Sequence, residues 1–513
     1  MISFNKTRIG SRSRIAICGL LVSAFMPVLA EMKFTHHVLI TEYPNTGRYG
    51  QCGFADFDKD GKIDFFNGES YQTTGTPIQI WAKNNGTKAN WNYFTLSNGT
   101  NGYNTGNAGA TPHDADGDGW VDIVTSGTWY RNPGAAGVEG LWQRSIYDPK
   151  GANAHDIFAA DINGDGKADI VTNPDNSTSG VKHGVGIEAG LWWYNITANG
   201  AGTWPKVLIG PSTHGGITPR GFGDIDGDGD LDVVNMGAWY ENKDKGASWT
   251  EHKNLGFGRS GPIGVSGKTW VADIDKDGDL DVVQTEADLF ATNAAAWLEN
   301  ADGKGMTWTK HTLPTTTEAT ADWHSLGVAD FDRDGDLDIL VVETEWETTT
   351  VRPRWFVWEN MDGKGASYVR RVIFAGNMGG HESQIVDMDG DGDIDIISRE
   401  HDPKSYNAVG GKKHIDWMEN VTVPTTNLFL KNSPNKRTLS YQVNAYQSMD
   451  VQTVGEGAYV LEILDAKGKP MARANGKGIG RHSISIQGYS SGVYAVRVSS
   501  GRDVQTALVT LNL

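Results

Sequence analysis

Apolar and polar positions in this chain alternate in short runs, too brief for helices and of strand length, separated by acidic segments. An apolar pair such as Phe54-Ala55 leads into nine residues of the form D-x-D-x-D-G-x-x-D, and runs such as Asp122-Ile123-Val124 lead out. The pattern, with Asn allowed at its third position, starts at Asp56, Asp114, Asp161, Asp224, Asp273, Asp330 and Asp387, at gaps of 47 to 63 residues. A second pattern, W-x-E-N-x-x-G-x-x-W-T-x-H-x-L, follows each segment. Clear copies begin at Trp239, Trp297 and Trp358, and weaker ones at Trp81, Trp129 and Trp193. The seventh, Trp417-Met418-Glu419-Asn420, stops before its final strand.

That strand is found at the other end. Phe34-Thr35-His36-His37-Val38-Leu39 aligns with Trp308-Thr309-Lys310-His311-Thr312-Leu313. The alignment predicts that the N-terminal strand completes the last unit and closes a ring, which leaves no sheet edge open. The repeated Trp residues are expected to pack unit against unit rather than to stack on sugars. Beyond Asn420 the composition changes, through a linker over 423–437, to alternating runs at 458–463, 482–486 and 492–498. These predict a small β-sandwich over 438–513.

Composition narrows the setting. Among 513 residues, Asp plus Glu outnumber Lys plus Arg by 63 to 45, a net charge of −18, which argues against nucleic acid and anionic membranes as partners. Lys6, Arg8, Arg12 and Arg14 precede an apolar run over 15–29 and the small-residue site Val28-Leu29-Ala30, so residues 1–30 read as an export signal. No later segment is apolar enough to span a membrane. Cys18 lies in the signal and only Cys52 remains after it, so disulfides do not hold this exported chain together.

The acidic segments supply an alternative. Carboxylates at positions 1, 3 and 5 converge on a hard cation, Gly at 6 permits the turn, and Asp at 9 closes an oxygen cage. The expected Ca2+ ligands are Asp56, Asp58, Asp60 and Asp64; Asp114, Asp116, Asp118 and Asp122; Asp161, Asn163, Asp165 and Asp169; and Asp224, Asp226, Asp228 and Asp232. The later loops add Asp273, Asp275, Asp277 and Asp281; Asp330, Asp332, Asp334 and Asp338; and Asp387, Asp389, Asp391 and Asp395. These loops resemble FG-GAP or VCBS-type repeats over residues 34–420. The resemblance implies an all-β, seven-bladed, integrin-α-like propeller over 31–422, with about seven structural calcium ions. The segment 491–498 and the turn Asp465-Ala466-Lys467-Gly468-Lys469 resemble the sorting domain of type IX secretion substrates. That resemblance implies contact with secretion machinery, and residence outside or on the outer surface of a Gram-negative cell. A monomer is expected.

If each acidic loop joins the two innermost strands of a blade, the opposite face can be read as a register. Six places before the first Asp stand His155, His324 and His381. Five places after the last stand Glu69, Glu286, Glu343 and Glu400, while blades two and four have Gly127 and Gly237 with short connections. Nearby loops add Tyr71, Trp346, Arg352, Arg399, His401, Lys404 and Tyr406. His155, His324, His381, Glu343, Glu400, Arg399 and Tyr406 are therefore the candidate catalytic set. The plain alternative is a set of polar residues at the mouth of a water-filled channel, with the Glu residues forming a solvated rim.

Three functions stay open. The first is a binding protein for extracellular polysaccharide, with calcium serving the scaffold. The second is a carbohydrate-active enzyme, a lyase or a glycoside hydrolase, since propellers of this kind include both. The third is a protein-binding adhesin. The enzyme reading requires at least two of His155, His324, His381 and Glu343 to converge, and His155 must do so across the axis.

Overall fold

The computed structural model describes residues 32–43, 48–70, 79–97, 109–151, 154–174, 190–261, 264–289, 293–314, 321–344, 352–376, 378–400, 407, 409–422, 438–444, 448–454, 458–465, 467–477, 480–485, 492–500 and 503–511. Residues 1–30, read as an export signal, and 423–437, read as a linker, lie outside them.

Each acidic loop joins the first and second strands of a four-stranded antiparallel sheet, and there are seven such units among the described residues. The first unit runs Arg48–Ala55, Asp64–Ser70, Gln79–Lys83 and Asn92–Ser97. The last is built from Gln384–Val386, Asp395–Arg399 and Ile415–Asn420, with the N-terminal strand Phe34–Ile40 added outside. Phe34 pairs with Asn420 and His37 with Trp417, so the displaced strand fills the place read from the sequence. The first strands neighbour one another in chain order, and that of the seventh unit touches that of the first. The fold is an all-β propeller. Blade four departs from the rest: its inner strand divides at Gly221, and His214–Arg220 pairs in parallel with Gly264–Ala272 of blade five.

The recurring Asn binds blade to blade. Its backbone N–H donates to the closing aspartate of its own loop, as in Asn300 to Asp281 Oδ1 at 2.9 Å. Its side-chain amide then reaches back to the preceding blade's loop. Asn300 donates to Ile225 O at 2.8 Å, Asn132 to Phe57 O at 2.9 Å, Asn242 to Ile162 O at 2.8 Å and Asn420 to Phe331 O at 2.8 Å. Asn84 reaches Met388 O at 3.5 Å, which bridges the last blade and the first.

The Trp residues face forward. Trp239 donates to Gly305 O and Trp297 to Gly365 O of the next blade, both at 2.9 Å. The motif glycine is required there. A Cβ on Gly305 would lie 2.5 Å from the Trp239 ring, and its φ of +66° is one that L side chains rarely adopt. The motif His stacks on the same Trp: His311 lies over Trp297 at 4.1 Å and hydrogen-bonds Glu299 at 2.7 Å. These aromatics and histidines are interface structure.

One clear copy of the motif is displaced. Val283 pairs with Trp297 in blade five, but in blade six Leu340 pairs with Val357 and Ile339 with Trp358. Trp358 therefore sits one residue late and joins the core between blades five and six, while Glu359 and Asn360 keep their places.

After the propeller come a three-stranded sheet (Thr438–Asn444, Ser448–Val454, Gly480–Ser485) and a four-stranded one (Ala458–Leu464, Pro470–Lys477, Gly492–Ser500, Asp503–Leu511), both antiparallel. No helix among the described residues is long and apolar enough to cross a membrane.

Replacing Asn300 with Ala strips hydrogen bonds from the carbonyls of Ile225 and Leu280 and should cost about 2–3 kcal/mol. Asn360→Ala, which removes two longer bonds, to Leu337 O at 3.4 Å and from Gly365 N at 3.2 Å, should cost less. Denaturant midpoints of the two variants check the order.

Candidate functional site

The acidic loops are built alike. In the first, Asp56 accepts from the N–H groups of Asp60 (3.0 Å) and Gly61 (2.9 Å), and Asp60 accepts from Lys62 N–H at 3.0 Å. The closing Asp64 is fully buried and accepts from Phe57 N at 3.0 Å and Asn84 N at 2.8 Å. Burial still pushes its carboxyl up to about 7, as it does for Asp122, Asp169, Asp232, Asp281 and Asp395, and it pushes Asp338 to about 9. A bound cation would supply a counter-charge. Asp56, Asp58 and Asp64 bring oxygens within 4.8 Å of one another, as do Asp114, Asp116 and Asp122, and Asp224, Asp226 and Asp232. All-oxygen donors of this kind fit a hard divalent ion.

The loops are not equivalent. Blades four to seven place Glu241, Glu299, Glu359 and Glu419 beside the loop, whereas blades one and two place Lys83 and Arg131 there. Lys83 bonds Asp58, and Arg131 bonds Asp116 at 2.5 Å and Asp118 at 2.8 Å. These two loops carry part of their neutralising charge within the protein.

At the other end of the inner strands lies a second centre. His155 and His324 each sit where strand register shifts, between Ala154 and Asp156 and between Trp323 and Ser325. Such a bulge interrupts alternation and re-aims the side chain. His155 Nδ1 is 2.7 Å from Asp156 Oδ1, and the His155 and His214 rings are 4.4 Å apart. His214 Nε2 lies 3.8 Å from Asp288 Oδ2, and Asp288 Oδ1 lies 3.3 Å from His324 Nε2. The His324 ring stacks on His381 at 4.6 Å. His381 Nδ1 is 3.9 Å from Glu382 Oε1, which bonds Lys268, and Lys268 Nζ returns to Asp156 Oδ1 at 3.8 Å. The circuit is closed and draws on blades three to seven.

Every member is buried, at 9% exposure or less, so the expectation of solvated polar residues at a channel mouth fails for this cluster. Burial alone would depress the Lys268 ammonium, but Glu382 and Asp156 hold it above the usual lysine value. Asp156, though buried, is held below the usual carboxylate range by Lys268 and His155, and it accepts from Gly216 N at 2.7 Å and Ile217 N at 3.1 Å. Burial opposes charge on His324 as well, yet Asp288 and Asp322 raise it to about 10.

Of the candidate residues, His155, His324 and His381 come together. Glu343 does not join the circuit: Arg354 holds both its oxygens, at 3.0 Å and 3.1 Å. Glu286 is held in the same way by Arg259, and Glu400 by Asn407 at 2.7 Å and by His414 at 3.3 Å. These acids are 0–2% exposed and salt-bridged or hydrogen-bonded, which corrects the expectation of a solvated rim. Arg399 donates to Gly50 O at 2.7 Å and so ties blade seven to blade one. Arg352 is exposed and lies 3.4 Å from Gly376 O. Tyr406, Tyr71, Trp346, His401 and Lys404, and the side chain of Glu69, lie outside the described residues. Gly127 and Gly237 occupy tight turns at φ +72° and +77°, as their short connections required.

Asp156, Lys268 and Glu382 escaped the sequence reading, although they stand one place after the histidine register, five before each loop. His214, Asp288 and Asp322 come from positions with no counterpart in the repeat, and no periodic signal marks them.

Residues 114–172 and 273–341 match the FG-GAP-like repeat. The chain carries FG-GAP-like repeats. No curated protein sequence matches it significantly. Among solved structures, the V. cholerae biofilm matrix protein Bap1 is similar at 13% identity, covering 91% of this chain and 88% of its own, with a TM-score of 0.33. The catalytic domain of a Coprinopsis cinerea GH62 α-L-arabinofuranosidase is similar at 8% identity, covering 77% and 99%, with a TM-score of 0.32. A point mutant of the Streptococcus pneumoniae NanB sialidase follows at 10% identity, covering 88% and 70%, with a TM-score of 0.22.

Lys268→Met would leave Asp156 and Glu382 without their buried cation and should destabilise the propeller by about 3–5 kcal/mol. Denaturant unfolding measures this, and a wild-type midpoint would refute the role given to Lys268.

Proposed function

We propose that the protein is a carbohydrate-active enzyme acting on extracellular polysaccharide, with its centre in the axial histidine–carboxylate circuit. The observation that carries this reading is the His155–Asp156 dyad within that circuit. Asp156 is an acceptor, so the Nδ1 facing it carries the proton, and Nε2 is the basic nitrogen. A histidine oriented in this way by a carboxylate fixed on backbone N–H groups can take a proton from a sugar carbon or a water. The polysaccharide assignment is supported by the export signal and by the lyases and glycosidases among propellers with similar repeats, which is an argument by analogy. Tyr71, Trp346 and Tyr406, the loop aromatics that a pure binder would use as a platform, lie outside the described residues. The deep burial of the circuit favours a second reading, in which it only closes the axis and the face binds glycan without turnover.

The two readings separate in a depolymerisation screen over plant and algal polysaccharides, followed by absorbance of unsaturated products and by reducing ends. His155→Gln should lower the rate by about 10²–10⁴-fold while the fold persists. Glycan retention with no depolymerisation, or full activity in the variant, would sink the enzymatic reading.

The scaffold metal in this proposal is calcium, one ion per loop. The working place is outside the cell, with the C-terminal sheets engaging secretion machinery and the chain acting as a monomer. Excess chelator should lower the melting temperature and added Ca2+ should restore it; a melt indifferent to chelator would refute structural calcium.

A further inference from the structure

The face that carries the axial circuit also holds a cleft of about 620 Å³, a size typical of ligand-binding clefts. Turns from second to third strands and links between blades both lie on that face, opposite the acidic loops. One of each lines the cleft: Met236-Gly237-Ala238 within blade four, and Pro211-Ser212-Thr213, which leads from blade three into blade four. The cleft extends to Lys310 and Thr312 on the outer strand of blade five, Trp308–Thr312. Thr213 directly precedes His214, so the cleft adjoins the circuit.

Its charge balance is opposite in sign to that of the whole chain, which carries −18. Among the described residues, the three cations Lys253, Arg259 and Lys310 line it against the two carboxylates Glu251 and Glu286. Glu286 is turned inward, with its side chain 2% exposed, and Arg259, 57% exposed, covers it. The Glu286 carboxylate accepts from Arg259 Nε at 2.9 Å and from the backbone N–H groups of Arg259 at 3.0 Å and Ala294 at 3.1 Å. Glu251 lies 3.0 Å from Lys253 Nζ and accepts from the Tyr240 hydroxyl at 3.3 Å. Both carboxylates are therefore matched within the protein. Lys310 is exposed and pairs with no carboxylate among the described residues, so the excess positive charge rests on it.

We infer that this cleft binds an anionic sugar unit, a uronate or a sulfate ester, with Lys310 as its counter-charge and Lys253 beside it. An ammonium on a flexible stem serves either anion as a point charge. Met236, Ala238 and the partly exposed Phe257 add apolar lining against which a sugar face can rest, and a few placed polar groups beside apolar surface are the usual make-up of a ligand cleft. A cleft of opposite sign to the rest of the chain also draws a polyanion to this place in preference to the remaining surface. The inference rests on the reading of the protein as one that acts on polysaccharide, names the substrate class for it, and sets a bound unit beside the circuit.

The test titrates the full chain by calorimetry with oligogalacturonates and their neutral carboxyl-reduced forms, and with carrageenan oligosaccharides and their neutral agarose counterparts. One anionic probe should bind at least about threefold more tightly than its neutral counterpart, and which one does so identifies the anion. The preference should shrink as NaCl is raised. Lys310→Ala, a change at an exposed side chain, should remove most of the preference. Lys304→Ala, in the turn of the same blade on the acidic-loop face, should leave it unchanged. His155→Gln should keep the binding while losing depolymerisation, so the cleft and the enzymatic reading fail separately. Equal affinity for charged and neutral probes, no binding of any probe, a wild-type preference in Lys310→Ala or an equal loss in Lys304→Ala would each overturn the inference.

Discussion

Seven buried aspartates, one closing each acidic loop, are the constraint from which the propeller follows. Six of them accept two backbone hydrogen bonds, one from the loop itself and one from the Asn at the end of the third strand, and Asp169 accepts from Ile162 N of its loop. Two such bonds do not offset burial, since the carboxyls remain pushed up to about 7, and to about 9 at Asp338. A bound cation would offset it. The same Asn then spends its side chain on the neighbouring blade, as Asn300 does on Ile225 O. Turn, carboxylate cluster and blade contact are thus one mechanical unit.

The unit also explains why the outer residues are so repetitive. Trp297 must reach Gly365 of the next blade, Gly365 must have no Cβ, and His311 must cover the ring while bonding Glu299. A blade that slips its Trp by one residue, as blade six does with Trp358, still keeps Glu359 and Asn360 in register. In that blade the Asn360 amide donates to Leu337 O of its own blade at 3.4 Å.

Much of this was legible in sequence because it is local and repeated. The loops, the seven units and the strand carried from Ile415–Asn420 to Phe34–Ile40 all follow from spacing. The site was legible only in part. The histidine register found His155, His324 and His381, but strand alternation would turn the next residue away, and the register shifts at His155 and His324 that break alternation leave no mark in sequence. So Asp156 and Glu382 were passed over. The Glu register marked a true position but not its environment. Glu343 and Glu286 are buried because Arg354 and Arg259 cover them, and those arginines belong to no repeat.

The axial charges are not needed to build the ring. Blade two has Gly109 and blade four Pro219 at the position where blades three, five and seven place Asp156, Lys268 and Glu382. The fold therefore accepts small or apolar residues there, and an apolar layer would close the axis without desolvating a lysine and three carboxylates. Buried ion networks contribute little net stability compared with such a layer. A chain that puts four histidines, Asp156, Asp288, Glu382 and Lys268 into that layer carries an electrostatic cost its scaffold does not demand. Shifted groups gathered at one place, as Lys268 and His324 are, mark functional sites more often than structural ones. The acidic loops account for the ring, and the axial circuit is the part of the molecule that the ring does not account for.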